Sequence, residues 1–475
     1  MNREEAIAIL EMDREEAIAK IIELGEKAEK YDKQTVDKEV TTPSGMKPVY
    51  EKPNHRKRCK RPGQKKGHPG ITRQRPPYID KKEEHSLEQC PNCGNQLGKP
   101  ATRRTRIVED IPPVKVEITE HTINGYWCPK CREIVEPTVE KALPGSTLGL
   151  NLIILSAWLH YGVGTSVSNV VKILRCLAGI TVSPGGLTHA WQRVANILEP
   201  VYDAIGEKVQ NSAFLHADET GWRVNGITHW LWCFANKLYC YYIIDARRGS
   251  PVLLEFFKIT FQGILICDFW GAYNKLKTLA KQRCLYHLFT ELVKVDKKNK
   301  SPAWIMFRKQ VTRLLRDAIR LSQAKDKLDP TVFQRRKEKI YQRLDALIEK
   351  QWEDKDCKRL IKRLKRHRCE LFTFLDHKEV SPFNNHAEQQ MRAPVISRKI
   401  SQQNRSDKGA KSQAIFMSLF RTCHLQKIDP IAATLDIVRA LVFGKMGKDA
   451  LDSFLKTRTV DSESYGQQRS AEVSA

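Results

Sequence analysis

No stretch of the 475-residue chain is long and apolar enough to cross a membrane: the longest apolar run, residues 148–164, is broken by Asn151 and His160. That falls short of the roughly 18 clean residues a spanning helix needs. The residues after Met1 are acidic and helix-forming, without the basic region, apolar stretch and small-residue cleavage site of a secretory signal. A cytoplasmic location is therefore expected, with all 13 cysteines reduced. Acid is also scarce, since 55 Asp and Glu face 81 Lys and Arg, a net charge of +26. That surplus points to a polyanion, nucleic acid first. Aromatics are only 8 %, but 41 % hydrophobic residues suffice for packed cores and exclude a wholly disordered chain. The length is too great for one core and fits two to four domains.

What is present begins with a helix signal. The string REEAIA occurs at Arg3 and again at Arg14, placing Ile7, Leu10, Ile18 and Ile21 on one stripe. Residues 1–40 are read as an amphipathic helix that either oligomerises the chain or packs on its body. Residues 41–80 turn to Pro, Gly and base, a linker suited to tracking phosphates. Its candidate DNA contacts are Arg56, Lys57, Arg58, Lys60, Arg61, Lys65 and Lys66.

Cys90-Pro-Asn-Cys93 and Cys128-Pro-Lys-Cys131 are two matched CxxC pairs with 34 residues between them. Paired knuckles suit one tetrahedral Zn(II) held by four thiolates, which leaves no open position and so predicts a structural site in a small zinc module over 81–145. The other nine cysteines are scattered, as at Cys233, Cys240 and Cys267, and read as small core residues. In 146–210 a helix over 166–177, a break at Ala178-Gly179-Ile180 and a new start at Ser183-Pro184 would suit a helix-turn-helix, with a plain helical bundle as the alternative.

After Asn211 the pattern becomes that of strands: 214–219, a turn at Asn225-Gly226, then 229–235 and 238–245. The apolar strand 263–267 ends on Asp268, and 272–281 reads as a helix. A buried strand ending in a carboxylate is costly unless the charge is paired or bound to metal. Asp218 and Asp268 thus invite Mg(II) or Mn(II), with Glu388 of Asn384-Asn385-His386-Ala387-Glu388 as the third oxygen ligand of a two-ion site. Alternatives stay open at this point: Asp218 as a turn cap, Glu219 as the ligand in its place, or Glu388 as the i,i+4 partner of Arg392. The catalytic core is read as 211–290 and 379–457, split by a helical insertion over 291–378, with a polar tail at 458–475. From Lys294 to Arg368 there are 25 Lys and Arg against 10 Asp and Glu, a phosphate-facing excess. Trp304 and Trp352 either stack on bases or brace these helices.

With those residues in view, the sequence resembles the insertion-sequence-66 family of bacterial DDE transposases. The matching strings are GQKKGHPG at 63–70, the two CPxC knuckles, HADETGWRVNG at 216–226, CDFWGAYNKL at 267–276, CLYH at 284–287, NNHAEQQMRAPVISRKISQQNRSDKGA at 384–410 and RTCHLQKIDP at 421–430. They run in order from about residue 60 to 445. The resemblance implies an α/β fold, a ribonuclease-H-like mixed sheet with a helical insertion before its last acid. It also implies that Asp218, Asp268 and Glu388 are the metal-binding catalytic triad. One departure stands out: where the family tends to carry Arg after the CLYH-type string, this chain has Leu288-Phe289-Thr290.

The expected activity is metal-dependent 3′-end cleavage at the ends of an insertion element, followed by strand transfer into target DNA. Arg392, Arg398 and Lys399 are expected to hold the scissile strand. Double-stranded DNA is the expected partner, met at the nucleoid by a homo-oligomer in a synaptic complex, with accessory proteins of the same element as further candidates. The rivals are a noncatalytic DNA-binding regulator, a nuclease that cuts without joining, and an RNA-processing enzyme.

Overall fold

The computed structural model describes residues 75–111 and 113–444. The expected N-terminal helix, the basic linker with Arg56 to Lys66, and the polar tail lie outside the described residues. The chain divides into two compact units, residues 1–100 and 101–475.

The described part of the first unit is built on a tight turn. Gly94, at φ +74°, donates its N–H to the Cys90 carbonyl, and Cys90 N–H donates to Asn95, both at 2.8 Å. Only a residue tolerant of the left-handed region closes such a turn without strain, hence glycine.

The second unit opens with a short antiparallel hairpin, β1 (Tyr126–Cys128) and β2 (Glu133–Val135). Helices α1 (Leu150–Ala157), α2 (Val167–Ala178), α3 (Pro184–Ile197) and α4 (Glu199–Gln210) follow. The sequence signals hold here: Ser166 and Ser183 each accept an N-terminal N–H as caps, and Gly179 ends α2 at φ +66°. Helix α3 turns Leu187, Trp191 and Val194 into the core, where Trp191 Nε1 donates to Ser156 at 3.0 Å.

Strands β3 (Phe214–Val224), β4 (Ile227–Ala235), β5 (Cys240–Asp245), β6 (Thr260–Cys267) and β7 (Lys277–Arg283) form one mixed sheet in the order β5-β4-β3-β6-β7. The first three are antiparallel neighbours, and β6 and β7 add on in parallel. Asn225 at φ +48° and Gly226 at φ +75° make the two-residue turn that the Asn-Gly pair predicted. Helix α5 (Ser250–Phe256) crosses from β5 to β6.

One expectation fails. The stretch 272–281, read as a helix, is a single 3-10 turn (Gly271–Asn274) followed by strand β7. Its Lys, Ala and Leu favour helix in isolation, but pairing with β6 and packing of Ala280 against the apolar insertion override that propensity.

Between β7 and the last part of the sheet domain run α6 (Leu285–Lys298), α7 (Pro302–Gln323), α8 (Pro330–Glu349) and α9 (Lys355–Arg366). Trp304 and Trp352 are buried among Phe307 and Leu347, so they brace the insertion. Some of its acids are ion-paired, such as Asp317 with Arg313, Arg320 and Arg343, and Glu291 with Arg359 and Arg363. The remaining excess of base stays on exposed faces, as at Lys358, Lys362, Lys365 and Arg366 of α9.

The chain ends its described course with α10 (Asn385–Ser401), α11 (Asp407–Gln426) and α12 (Pro430–Phe443). Strand β5 is an edge of the sheet, and α11 covers it: Cys240 N–H donates to the Thr422 hydroxyl at 3.2 Å and Tyr242 N–H to the Ser418 hydroxyl at 2.9 Å. Cys233, Cys240, Cys267, Cys284, Cys357 and Cys423 are buried thiols, as small core residues should be, whereas Cys176 and Cys369 are exposed on helical surfaces and are not core residues, and Cys59 lies outside the described residues. Among the described residues no helix is long and apolar enough to cross a membrane.

Candidate active site

Three elements deliver the three acids. Along β3, Leu215 and Ala217 face one apolar cluster, so Phe214, His216 and Asp218 face the other side of the sheet. Strand β6 pairs with it so that Phe214, Leu215 and His216 lie opposite Ile264, Leu265 and Ile266. Continuing that register sets Asp218 level with Asp268, which stands one residue past the end of β6 and on the same face. Asp268 Oδ1 accepts the Trp270 N–H at 2.8 Å.

Asp268 is anchored from behind by a buried cation. Arg283 is fully buried and donates to the Asp268 carbonyl at 2.7 Å, to Asn274 Oδ1 at 2.6 Å and to Glu370 Oε2 at 2.7 Å. Burial alone would raise the Glu370 carboxyl, but the His367 ring and the Arg283 guanidinium overcome it and hold the group at about 2. This stabilisation is present above pH ~4 and is lost as pH falls towards 2. Glu370→Gln, which leaves the Arg283 charge without its carboxylate, is expected to cost about 3 kcal/mol. Chemical denaturation checks this, and an unchanged midpoint would refute it.

Helix α10 brings the third acid. Asn384, its N-cap, is completely buried and reaches across to β3: its Nδ2 donates to the Ala217 carbonyl at 2.8 Å, and its Oδ1 lies 3.0 Å from His216 Nδ1. Since Nδ2 donates, Oδ1 accepts, so the His216 proton sits on Nδ1. Burial lowers His216 to about 4, which keeps the ring neutral. His386 Nε2 lies 2.6 Å from the Asn236 carbonyl, a second tie to the sheet. Glu388 follows one turn later, its N–H bonded to Asn384.

The carboxylate oxygens of Asp218, Asp268 and Glu388 do not all lie within 4.8 Å of one another, yet the charges of Asp268 and Glu388 reach Asp218. Asp218 is pushed up to about 8 by burial first, then by the negative charges of Glu219, Asp268 and Glu388. Glu219, the alternative carboxylate, is held differently. It lies on the opposite face, 2 % exposed, where Tyr273 donates to it at 2.7 Å and Arg248 at 3.2 Å. Burial and the Asp268 charge raise its carboxyl. Arg248 is clasped between the rings of Trp230 and Trp270, 4.2 and 4.0 Å from their centroids. Glu388 pairs with His287, 4.0 Å away, not with Arg392. Among the described residues, the three metal-ligand groups whose donor atoms all lie within 4.8 Å of one another are Cys284, His287 and Glu388.

On α10, Arg392 and Lys399 are exposed. Arg398 is partly buried and donates to the Thr220 hydroxyl at 3.3 Å and to the Gly221 carbonyl, so it fastens α10 to β3. Asn404 does the same for the following loop, accepting Trp222 Nε1 at 2.7 Å and the Asn225 N–H at 2.8 Å.

Residues 145–412 match the family described as "Transposase IS66 family". The chain belongs to the IS66 transposase family. Residues 88–132 match the "zinc-finger binding domain of transposase IS66". No curated protein matches the chain. Membership makes DNA the implied partner and gives the two CPxC pairs a zinc-finger setting. Each knuckle is shaped accordingly within its own unit. The Cys90 thiol is lowered by the backbone N–H groups of Asn92 and Cys93, and the Cys128 thiol by those of Cys131 and Lys130.

Several IS66-like strings prove to be scaffolding around the acids. The Asn-Asn-His run and Arg398 dock α10 on β3, and Asn404 ties the next loop to the β3–β4 hairpin. Where the family pattern has Arg after the CLYH string, Leu288 is buried in the insertion core.

Proposed function

We propose that the chain is a DDE transposase that binds the ends of its insertion sequence, cleaves their 3′ ends and joins them to target DNA, with Asp218, Asp268 and Glu388 as the catalytic triad. The observation that carries this reading is the level placement of Asp218 and Asp268 on one sheet face, with α10 docked through Asn384 so that the charge of Glu388 reaches Asp218. The sheet order, three antiparallel strands followed by two parallel ones, supports a ribonuclease-H-like core.

The donor set fits a hard divalent cation. A carboxyl raised to about 8 by burial first and then by neighbouring carboxylates carries charge that a cation relieves, and all-oxygen donors suit Mg(II) or Mn(II). Two such ions, when bound, supply Lewis-acid activation of the phosphodiester and of its attacking hydroxyl. The protein's own groups hold the geometry: neutral His216 orients Asn384, Asn384 fixes α10 against β3, and Arg283 fixes the backbone of Asp268. Exposed Arg392 and Lys399, with the basic faces of the insertion, supply cations for the DNA backbone.

Purified protein is expected to cut labelled element-end DNA in Mg(II) or Mn(II) and to yield joined products. Cutting without joining would reduce the reading to a nuclease, and binding without cutting would overturn it in favour of a regulator. For the zinc finger, Cys93→Ser is expected to lower bound zinc by one ion per chain and to weaken end binding. Elemental analysis and a gel shift check both, and unchanged zinc content would remove Cys93 as a ligand.

A further inference from the structure

Cys284 and His287 take no part in the proposed reaction, yet both face its third carboxylate. Cys284 is the N-cap of α6 and His287 lies three residues on, a spacing that sets the two side chains together at the start of a helix. The buried Cys284 sulfur accepts the Asn384 N–H at 3.2 Å, and the N–H groups of His287 and Tyr286 also turn towards it. Burial, the larger effect, raises the thiol above its ordinary value, and these N–H groups offset only part of that. From the other side α10 presents Glu388, with Oε1 4.0 Å from His287 Nδ1. Sulfur, imidazole nitrogen and carboxylate oxygen all lie within 4.8 Å of one another. The side chains of His287 and Glu388 are 43 % and 36 % exposed, so an ion reaches them from solvent.

We propose that Cys284, His287 and Glu388 form a second metal site, selective for a borderline-soft divalent ion of the zinc type, which shares Glu388 with the carboxylate site and so makes such ions inhibitors of the transposase. A sulfur, nitrogen and oxygen set discriminates against Mg(II), which takes oxygen ligands in an octahedron, and favours Zn(II) with a water in the fourth position. Ligand atoms around tetrahedral zinc stand about 3.3–3.8 Å apart, so rotation of the two exposed side chains closes the set. Binding forms a sulfur–metal bond and releases the Cys284 thiol proton to solvent. An ion held there engages Glu388 and withdraws it from Asp218 and Asp268. The inhibitory half of the proposal rests on the catalytic reading of Glu388; the metal site does not.

Co(II) reports on both halves separately. The full chain reconstituted with Co(II) is expected to hold one more ion per chain than Cys284→Ser and to show a stronger sulfur-to-cobalt absorption band. His287→Gln, a change at an exposed side chain that leaves the fold alone, is expected to weaken that ion by at least about 10- to 100-fold. Equal cobalt content and equal bands in all three proteins would overturn the site. In Mg(II)-dependent cleavage, Zn(II) is expected to inhibit the wild type at concentrations at least about tenfold lower than either variant. Equal zinc sensitivity would overturn the inhibitory role. If no protein cleaves DNA at all, the catalytic reading fails, and the cobalt count still decides the site.

Discussion

Asp268→Asn and Glu388→Gln are each expected to reduce metal-dependent cleavage of element ends by on the order of 10³-fold or more, while binding to the same DNA is retained. The structure explains why these changes remove charge and little else. The Asp268 oxygen that accepts the Trp270 N–H is reproduced by Asn, and the backbone carbonyl that Arg283 holds is untouched. Glu388 is more than one-third exposed and has His287 as its ion-pair partner, so Gln costs little packing. A denaturing gel of end-labelled DNA reads the cleavage, and a gel shift at the same salt reads the binding. Cleavage at the wild-type rate by either variant would sink the triad.

Asp218→Asn is expected to do two things that run in opposite directions: abolish cleavage and raise the thermal stability of the metal-free protein. The folded-state carboxyl titrates at about 8, raised chiefly by burial, against an ordinary value near 3.8. Below pH ~4 the group is protonated in both states and carries no penalty. Between about 4 and 8 the unfolded chain has given up the proton that the folded chain keeps, so stability falls as pH rises, and the full penalty is reached above about 8. Asn removes that slope. Mg(II) offsets the same penalty in the wild type by neutralising the buried charge, and its effect is larger at pH 8 than at pH 5. Melting curves at both pH values, with and without Mg(II), check each part. A wild type whose midpoint ignores Mg(II) at pH 8, or a variant that melts lower than wild type in its absence, would refute the assignment of Asp218 as a metal ligand.

Local chemistry was legible in the sequence wherever it depends on neighbours in the chain. The Asn225-Gly226 turn, the serine caps at Ser166 and Ser183, the Gly179 stop and the strand ending at Asp268 are of this kind. Non-local pairing was not. That Asp218 stands level with Asp268 follows from the register of β3 on β6, which no spacing along the chain encodes. The side on which Glu219 falls was likewise open until the apolar clusters on the two sheet faces were assigned. Strand β7 was misread because its composition favours a helix and only its pairing makes it a strand. Cys284 and His287 belonged to a recognised string, but their approach to Glu388 depends on docking across 100 residues, from Cys284 to Asn384.

The same docking has a consequence in time. Asn384 meets His216 across 168 positions of chain, and Glu388 lies beyond it. At ordinary rates of protein synthesis, roughly 10 to 30 s separate the emergence of β3 from that of the helix which completes the acids. By the end of that interval the growing polypeptide carries the basic insertion but still lacks its last carboxylate. A ribosome that stalls between residues 378 and 388 therefore releases a fragment that has the basic insertion and lacks the third acid. Under the proposed function such a fragment cannot cut, so failed translation at that point spares the host chromosome a stray nuclease.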